Sequence, residues 1–143
     1  MSTMVSTRGR YALRVMVSLA EKPAGTLVPL KDIAEEQNIS LKYLEGIMGA
    51  LSKADLVTAV HGKGGGYSLN KRPQDYTVGS ILKVTEGSIS PVACPGFDGM
   101  CLRMEDCRTF PMWKKLDRMI DDYLETITLA DLMKPDAERE VSA

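Results

Sequence analysis

Residues 39–69 read ISLKYLEGIMGALSKADLVTAVHGKGGGYSL, and this stretch decides the fold. Ser40 is a good N-cap, because a serine hydroxyl accepts an orphan backbone N–H of a helix's first turn. Leu41, Leu44, Met48 and Leu51 recur at helical spacing, so a helix running to about Ala54 is expected to bury them. Leu56-Val57-Thr58-Ala59-Val60 is a strand-like run. His61-Gly62-Lys63-Gly64-Gly65-Gly66 can only turn, and Tyr67-Ser68-Leu69 reads as the returning strand. A helix followed at once by a glycine-tipped hairpin is predicted to be a recognition helix and its wing.

Working upstream, Asn38-Ile39-Ser40 is a tight connection to an earlier helix opened by Pro29, with Leu30, Ile33 and Ala34 facing inward. Two helices joined by so short a turn make a helix-turn-helix. Ser6 or Thr7 can cap a first helix to about Glu21, which buries Ala12, Val15, Met16 and Leu19 and carries Arg10 and Arg14 on another face.

Downstream, Pro73 to Tyr76 is a connector and Val78 to Thr85 a short fourth helix. From Gly87 to about Cys107 there is little periodicity, and a loop that long in a small domain is usually functional or disordered. Pro111 fits the first turn of a long helix to about Thr126. Trp113, Leu116, Ile120, Tyr123 and Ile127 alternate at spacings of three and four, a seam that reads as a homodimer interface. The alternative is that this helix packs on its own winged module. Thr128 with Asp131 signals a cap for a last short helix, Leu129 to Met133.

The expected fold is therefore mainly α: a winged helix-turn-helix with a small β-hairpin wing and a long C-terminal dimerisation helix. Residues 1–76 form the DNA-binding region, and 77–108 the short helix and cysteine-bearing loop. Residues 109–134 form the dimerisation and terminal helices, and 135–143 a frayed tail.

At 143 residues, with 44% hydrophobic and 26% charged residues, a folded chain is expected. No apolar run approaches a membrane span, and Met1 to Arg10 lacks the apolar centre of a signal peptide, so a cytoplasmic location without membrane partners is expected. Residues 1–76 hold ten Lys/Arg against seven Asp/Glu, whereas 77–143 hold eight against twelve. The N-terminal part is thus the better match for a polyanion.

Ser40, Lys42, Tyr43 and Glu45 are the exposed candidates on the recognition helix. Lys42 suits phosphate or guanine acceptors, and Glu45 can accept from cytosine N4. Gly46 and Gly49 each cost about 1 kcal/mol in a helix, and they permit close approach of the backbone. At the wing tip, His61 and Lys63 sit among glycines and suit a narrow minor groove. Arg8 and Arg10 are candidate phosphate contacts. The Gly-rich turn lacks both the Ser/Thr of a phosphate-binding loop and the dinucleotide fingerprint. With one histidine and no nucleophile–base pairing, an enzyme is not expected.

Cys94, Cys101 and Cys107 are the chain's three cysteines, clustered in one short stretch. Their separations exceed the spacing of zinc knuckles. Iron–sulfur clusters accept looser spacing, and direct thiol redox sensing is the other reading.

Taken together, the stretch Ser6 to Ala12, the run Ile39 to Glu45, the wing Gly62 to Tyr67, the three cysteines and Ile127 to Leu132 resemble the IscR/NsrR/CymR superfamily of bacterial winged-helix regulators. The similarity runs from about Ser6 to Met133. It implies a homodimer on palindromic double-stranded operator DNA, and an iron–sulfur cluster, two-iron or four-iron, held by Cys94, Cys101 and Cys107. IscR-like members govern iron–sulfur assembly genes, and CymR-like members lack a cluster. Three positions depart from the pattern. Phe110 stands where IscR-type proteins have histidine, Arg10 where NsrR-type proteins have a carboxylate, and His61 where IscR has a wing arginine. The fourth ligand is thereby left open, with Asp98, Glu105 and Asp106 nearby.

Overall fold

The structure is a computed structural model and describes residues 5–87, 89–90 and 106–134. Cys94, Cys101, Asp98, Glu105 and the expected tail lie outside the described residues.

α1 (Thr7–Ala20) is capped by Ser6, whose hydroxyl accepts the Gly9 N–H at 3.1 Å. α2 (Leu30–Gln37) starts after Pro29 and ends at Asn38, which takes the left-handed conformation (φ 54°) that lets the chain turn sharply into the next helix. α3 (Leu41–Lys53) starts on Ser40, the expected cap. These helices enclose one core. Ala12, Val15, Met16, Ile33, Leu44, Ile47, Met48 and Leu51 are buried in it, each larger side chain contributing roughly 1.5–3 kcal/mol by leaving water. One expectation fails here. Leu41, expected in the buried stripe, is 46% exposed, and Ile47 fills the core instead. Leu41 lies in the helix's first turn, at the edge of the arc centred on Leu44, Ile47 and Leu51.

β1 (Val57–Val60) and β2 (Gly66–Leu69) pair antiparallel, with Val57 opposite Leu69 and Val60 opposite Gly66. A third segment, not foreseen from sequence, pairs with the outer edge of β2 near the tip of this hairpin. Val28 and Tyr67 exchange two backbone hydrogen bonds of 2.9 Å each. Gly66 faces the Val28 backbone so closely that any Cβ would collide with it, which explains a glycine here.

A 3₁₀ turn (Pro73–Asp75) leads to Tyr76, which is 1% exposed. Its hydroxyl donates to the Leu56 carbonyl at 2.8 Å and accepts the N–H groups of Asn70 (3.0 Å) and Lys71 (3.1 Å). One side chain thus joins the chain entering the hairpin to the chain leaving it. α4 (Val78–Glu86) is capped by Thr77 and packs on α1. At its end, Glu86 accepts the Ser6 N–H at 3.1 Å and the Ser6 hydroxyl, so a carboxylate sits at the positive end of α1.

α5 (Phe110–Thr126) has Pro111 in its first turn, as expected. The chain then folds back. Val78 N–H donates to Ile127 O (2.8 Å) and Leu129 N–H to Tyr76 O (3.1 Å). α6 (Leu129–Leu132) carries the full Thr128/Asp131 capping box, and Leu129 is wholly buried in the winged module's core. Among the described residues, no helix is long and apolar enough to cross a membrane.

Candidate nucleic-acid interface

The exposed side of α3 presents Leu41, Lys42, Tyr43, Glu45 and Gly46 from its first turns. Ser40 is exposed too, and its oxygen accepts the Tyr43 N–H at 3.1 Å, which leaves the hydroxyl proton available to an outside acceptor. Leu41 is a residue that sequence patterning assigned to the core. Exposed beside Lys42, it can meet a thymine methyl. Its position in the first turn was the available signal.

Two contacts hold α1 across this helix. The Arg8 guanidinium donates to Gly46 O at 3.0 Å, and Tyr11 meets Tyr43 edge-on with ring centroids 6.0 Å apart. Arg8 therefore spends part of its donor set fixing α3. Arg10 donates to the Thr7 hydroxyl at 3.4 Å and is otherwise exposed. Gly46 has open space around its Cα, so it exposes a strip of helix backbone.

The wing tip projects His61 and Lys63 into solvent. Gly62 (φ 94°) and Gly64 (φ 79°) adopt the left-handed conformations that a turn this tight requires. Lys42, His61 and Lys63 lie on the two elements expected to reach DNA, α3 and the wing. Among the described residues, no carboxylate pairs with any of them.

Of the three cysteines, Cys107 is described. It is half-buried and lies two residues before Thr109, the N-cap of α5. Its sulfur is 3.5 Å from the Thr109 hydroxyl. That hydroxyl, then the backbone N–H groups of Thr109 and Phe110, hold the thiol below its ordinary range. The thiolate so favoured is the form that ligates iron, so this residue fits an iron–sulfur site. Asp106 is exposed, and Phe110 has no donor atom for a metal. Among the described residues, no three His, Cys, Asp or Glu side chains gather as a metal site.

In the single chain, not one of the 17 residues of α5 is fully buried. The expected seam divides into two faces. Leu116 and Tyr123 are exposed and join Met112 and Met119, which are 53% and 57% exposed. These four recur at spacings of four, three and four, and fall within roughly 60° of helix arc at 100° per residue. Trp113 and Ile120 are half-buried beside them, and Ile127 lies past the helix end with extended backbone. The polar flank of α5 is fastened to α4. Lys83 pairs with Asp121 (2.7 Å) and Glu125 (3.2 Å), and the Thr77 hydroxyl donates to Glu125 at 2.9 Å.

Comparison with known proteins accords with this arrangement. The chain is 38% identical over 138 residues to the HTH-type transcriptional regulator IscR of Vibrio campbellii, covering 96% of this chain and 82% of that protein. Its fold is similar to the global cysteine regulator CymR of B. subtilis, with TM-score 0.75, 36% identity, and 92% and 96% of the two chains covered. It is also similar to IscR of T. potens, with TM-score 0.68, 38% identity, and 90% and 84% covered. A family profile described as "Iron-dependent Transcriptional regulator" matches residues 5–135. This winged helix-turn-helix chain is a transcription regulator, not an enzyme, and belongs to the Rrf2 family.

Proposed function

We propose that two copies of this chain join through α5 and grip a palindromic operator, under the control of an iron–sulfur cluster held by Cys94, Cys101 and Cys107. The observation that supports this most is the position of Cys107. It lies at the start of the same helix that exposes Met112, Leu116, Met119 and Tyr123. A ligand bound at that cysteine is coupled to the dimer helix through a few covalent bonds.

The division of labour follows from the residues. Ser40, Lys42, Tyr43 and Glu45 face the major groove, and His61 and Lys63 reach the minor groove. Arg8 and Arg10 lie toward the phosphates and make binding salt-dependent. Trp113, Leu116, Ile120, Tyr123 and Ile127, with Met112 and Met119, form the apolar seam between protomers. Half-sites on one DNA face recur roughly every 34 Å, so a small rotation at the seam mismatches the second half-site. When bound, the cluster supplies a redox- and iron-responsive crosslink among the three thiolates. Its gain or loss is expected to shift operator affinity by the usual coupling of about 1–3 kcal/mol. Iron–sulfur assembly genes are the expected targets, as the resemblance to IscR-like members implies.

The test is anaerobic purification. A brown protein with matched iron and sulfide is expected. Cys101→Ala should be colourless and folded, with altered gel-shift affinity for operator DNA. Equal binding by the two proteins counts against cluster control. Two observations favour a second reading, a cluster-free thiol sensor: the likeness to the CymR structure and the thiolate-favouring surroundings of Cys107. A colourless anaerobic protein whose DNA binding responds reversibly to peroxide and thiol reductant would select that reading.

A further inference from the structure

Arg14 has no part in the interface described so far, yet its surroundings are built for an anion. Its guanidinium lies over the Tyr11 ring, 4.9 Å from the centroid, and Tyr11 in turn meets Tyr43 on the first turn of α3. Arg10 lies one helical turn earlier on the same face of α1. Thr7, Arg10, Tyr11 and Arg14 line a dimple of about 120 Å³, large enough for a tetrahedral oxyanion. Among the described residues, no carboxylate pairs with either arginine.

We propose that Arg14, with Arg10 and Thr7, forms a phosphate-binding subsite that takes one backbone phosphate of the operator beside the major groove entered by α3. This rests on the DNA-binding reading above and adds a contact to it. The cation–π contact with Tyr11 restrains the Arg14 side chain at the edge of the dimple, so less ordering remains when a phosphate arrives. The placement favours a DNA phosphate over a free one. The Arg8–Gly46 and Tyr11–Tyr43 contacts fix this part of α1 directly beside the reading helix, so the dimple is continuous with the rest of the interface. Two cations converging without an acid among them also suit a polyanion, whose charge density is high.

The experiment compares wild type, Arg14→Gln and Arg14→Lys on two duplexes, one selected for tight binding and one of scrambled sequence, across a salt series. Each phosphate contact contributes about 0.9 to the slope of log affinity against log salt. Arg14→Gln in both protomers should lower the slope by about 1.8, equally on both duplexes. The deficit against wild type should then shrink about tenfold between 50 and 200 mM salt. Arg14→Lys keeps the charge and should keep most of the slope. Circular dichroism and thermal melting check that each variant folds, as expected for an exposed helix position. An unchanged slope in Arg14→Gln overturns the subsite and leaves the DNA-binding reading intact. A loss confined to the selected duplex also overturns it, since that marks base recognition. If wild type itself binds neither duplex, the subsite and the reading beneath it both fail.

Discussion

Replacing Tyr76 with phenylalanine removes one oxygen and leaves three backbone groups without their partner. The Leu56 carbonyl and the N–H groups of Asn70 and Lys71 all meet that hydroxyl, within 2.8–3.1 Å. A buried polar group left unsatisfied costs about 1–3 kcal/mol. Leu56 is buried and takes that cost in full, whereas Asn70 and Lys71 are exposed residues whose N–H groups water can reach in part. The expected loss is therefore about 2–4 kcal/mol in total. For a chain of this size, that lowers Tm by roughly 8–16 °C at about 4 °C per kcal/mol. Urea unfolding at a fixed protomer concentration gives the comparison, because the stability of the proposed dimer would depend on concentration. The pH profile gives a second readout. Burial pushes the Tyr76 phenol above its ordinary value of 10.0. Its contribution is thus complete below about pH 10 and is lost as pH rises through the folded-state value. Phenylalanine should remove that alkaline limb. A loss below about 0.5 kcal/mol, with the alkaline limb unchanged, would refute the assignment of Tyr76 as the clasp of the wing.

Three further outcomes are expected. Gly66→Ala forces a methyl into the Val28 backbone, so the Val28–Tyr67 bridge should open; hydrogen exchange at those two amides should accelerate, and wild-type protection would count against the close approach. Met119→Lys changes an exposed side chain of the lone protomer, so fold stability should move by no more than about 0.5 kcal/mol while light scattering reports monomers; a persistent dimer would place the seam elsewhere. Thr109→Val removes the hydroxyl that most lowers the Cys107 thiol, so alkylation by iodoacetamide at neutral pH should slow in the cluster-free protein; an unchanged rate would show that the backbone N–H groups suffice.

How far the fold was legible depended on the range of the forces involved. Helix starts were readable because Ser6, Ser40 and Thr128 each act on an N–H three residues away. The wing was readable because its glycines leave the chain little alternative to a turn. The misplacement of Leu41 has a tertiary cause: periodicity gives an arc, but not where the neighbouring helices stop covering it. The Val28–Tyr67 bridge joins residues 39 positions apart, and a lone bridging residue has no alternation to betray it. Along α5 the apolar positions were visible, yet their division between a solvent-facing set and a half-buried set depends on Lys83 gripping Asp121 and Glu125 from another helix. Arg14 was visible as a helix-face cation three residues from Tyr11, but the docking of that pair against the reading helix needs Tyr11 and Tyr43 brought together in space.

The burial of Leu129 has a consequence for how the protein is made. This residue comes from beyond the long helix, yet it plugs the centre of the N-terminal module. During synthesis, every residue of the DNA-reading head leaves the ribosome before its last core side chain does. A nascent or truncated chain ending at Thr126 therefore holds a reading head with a hole in it. Completion of the reading head is thus deferred until Leu129 has been made and has docked.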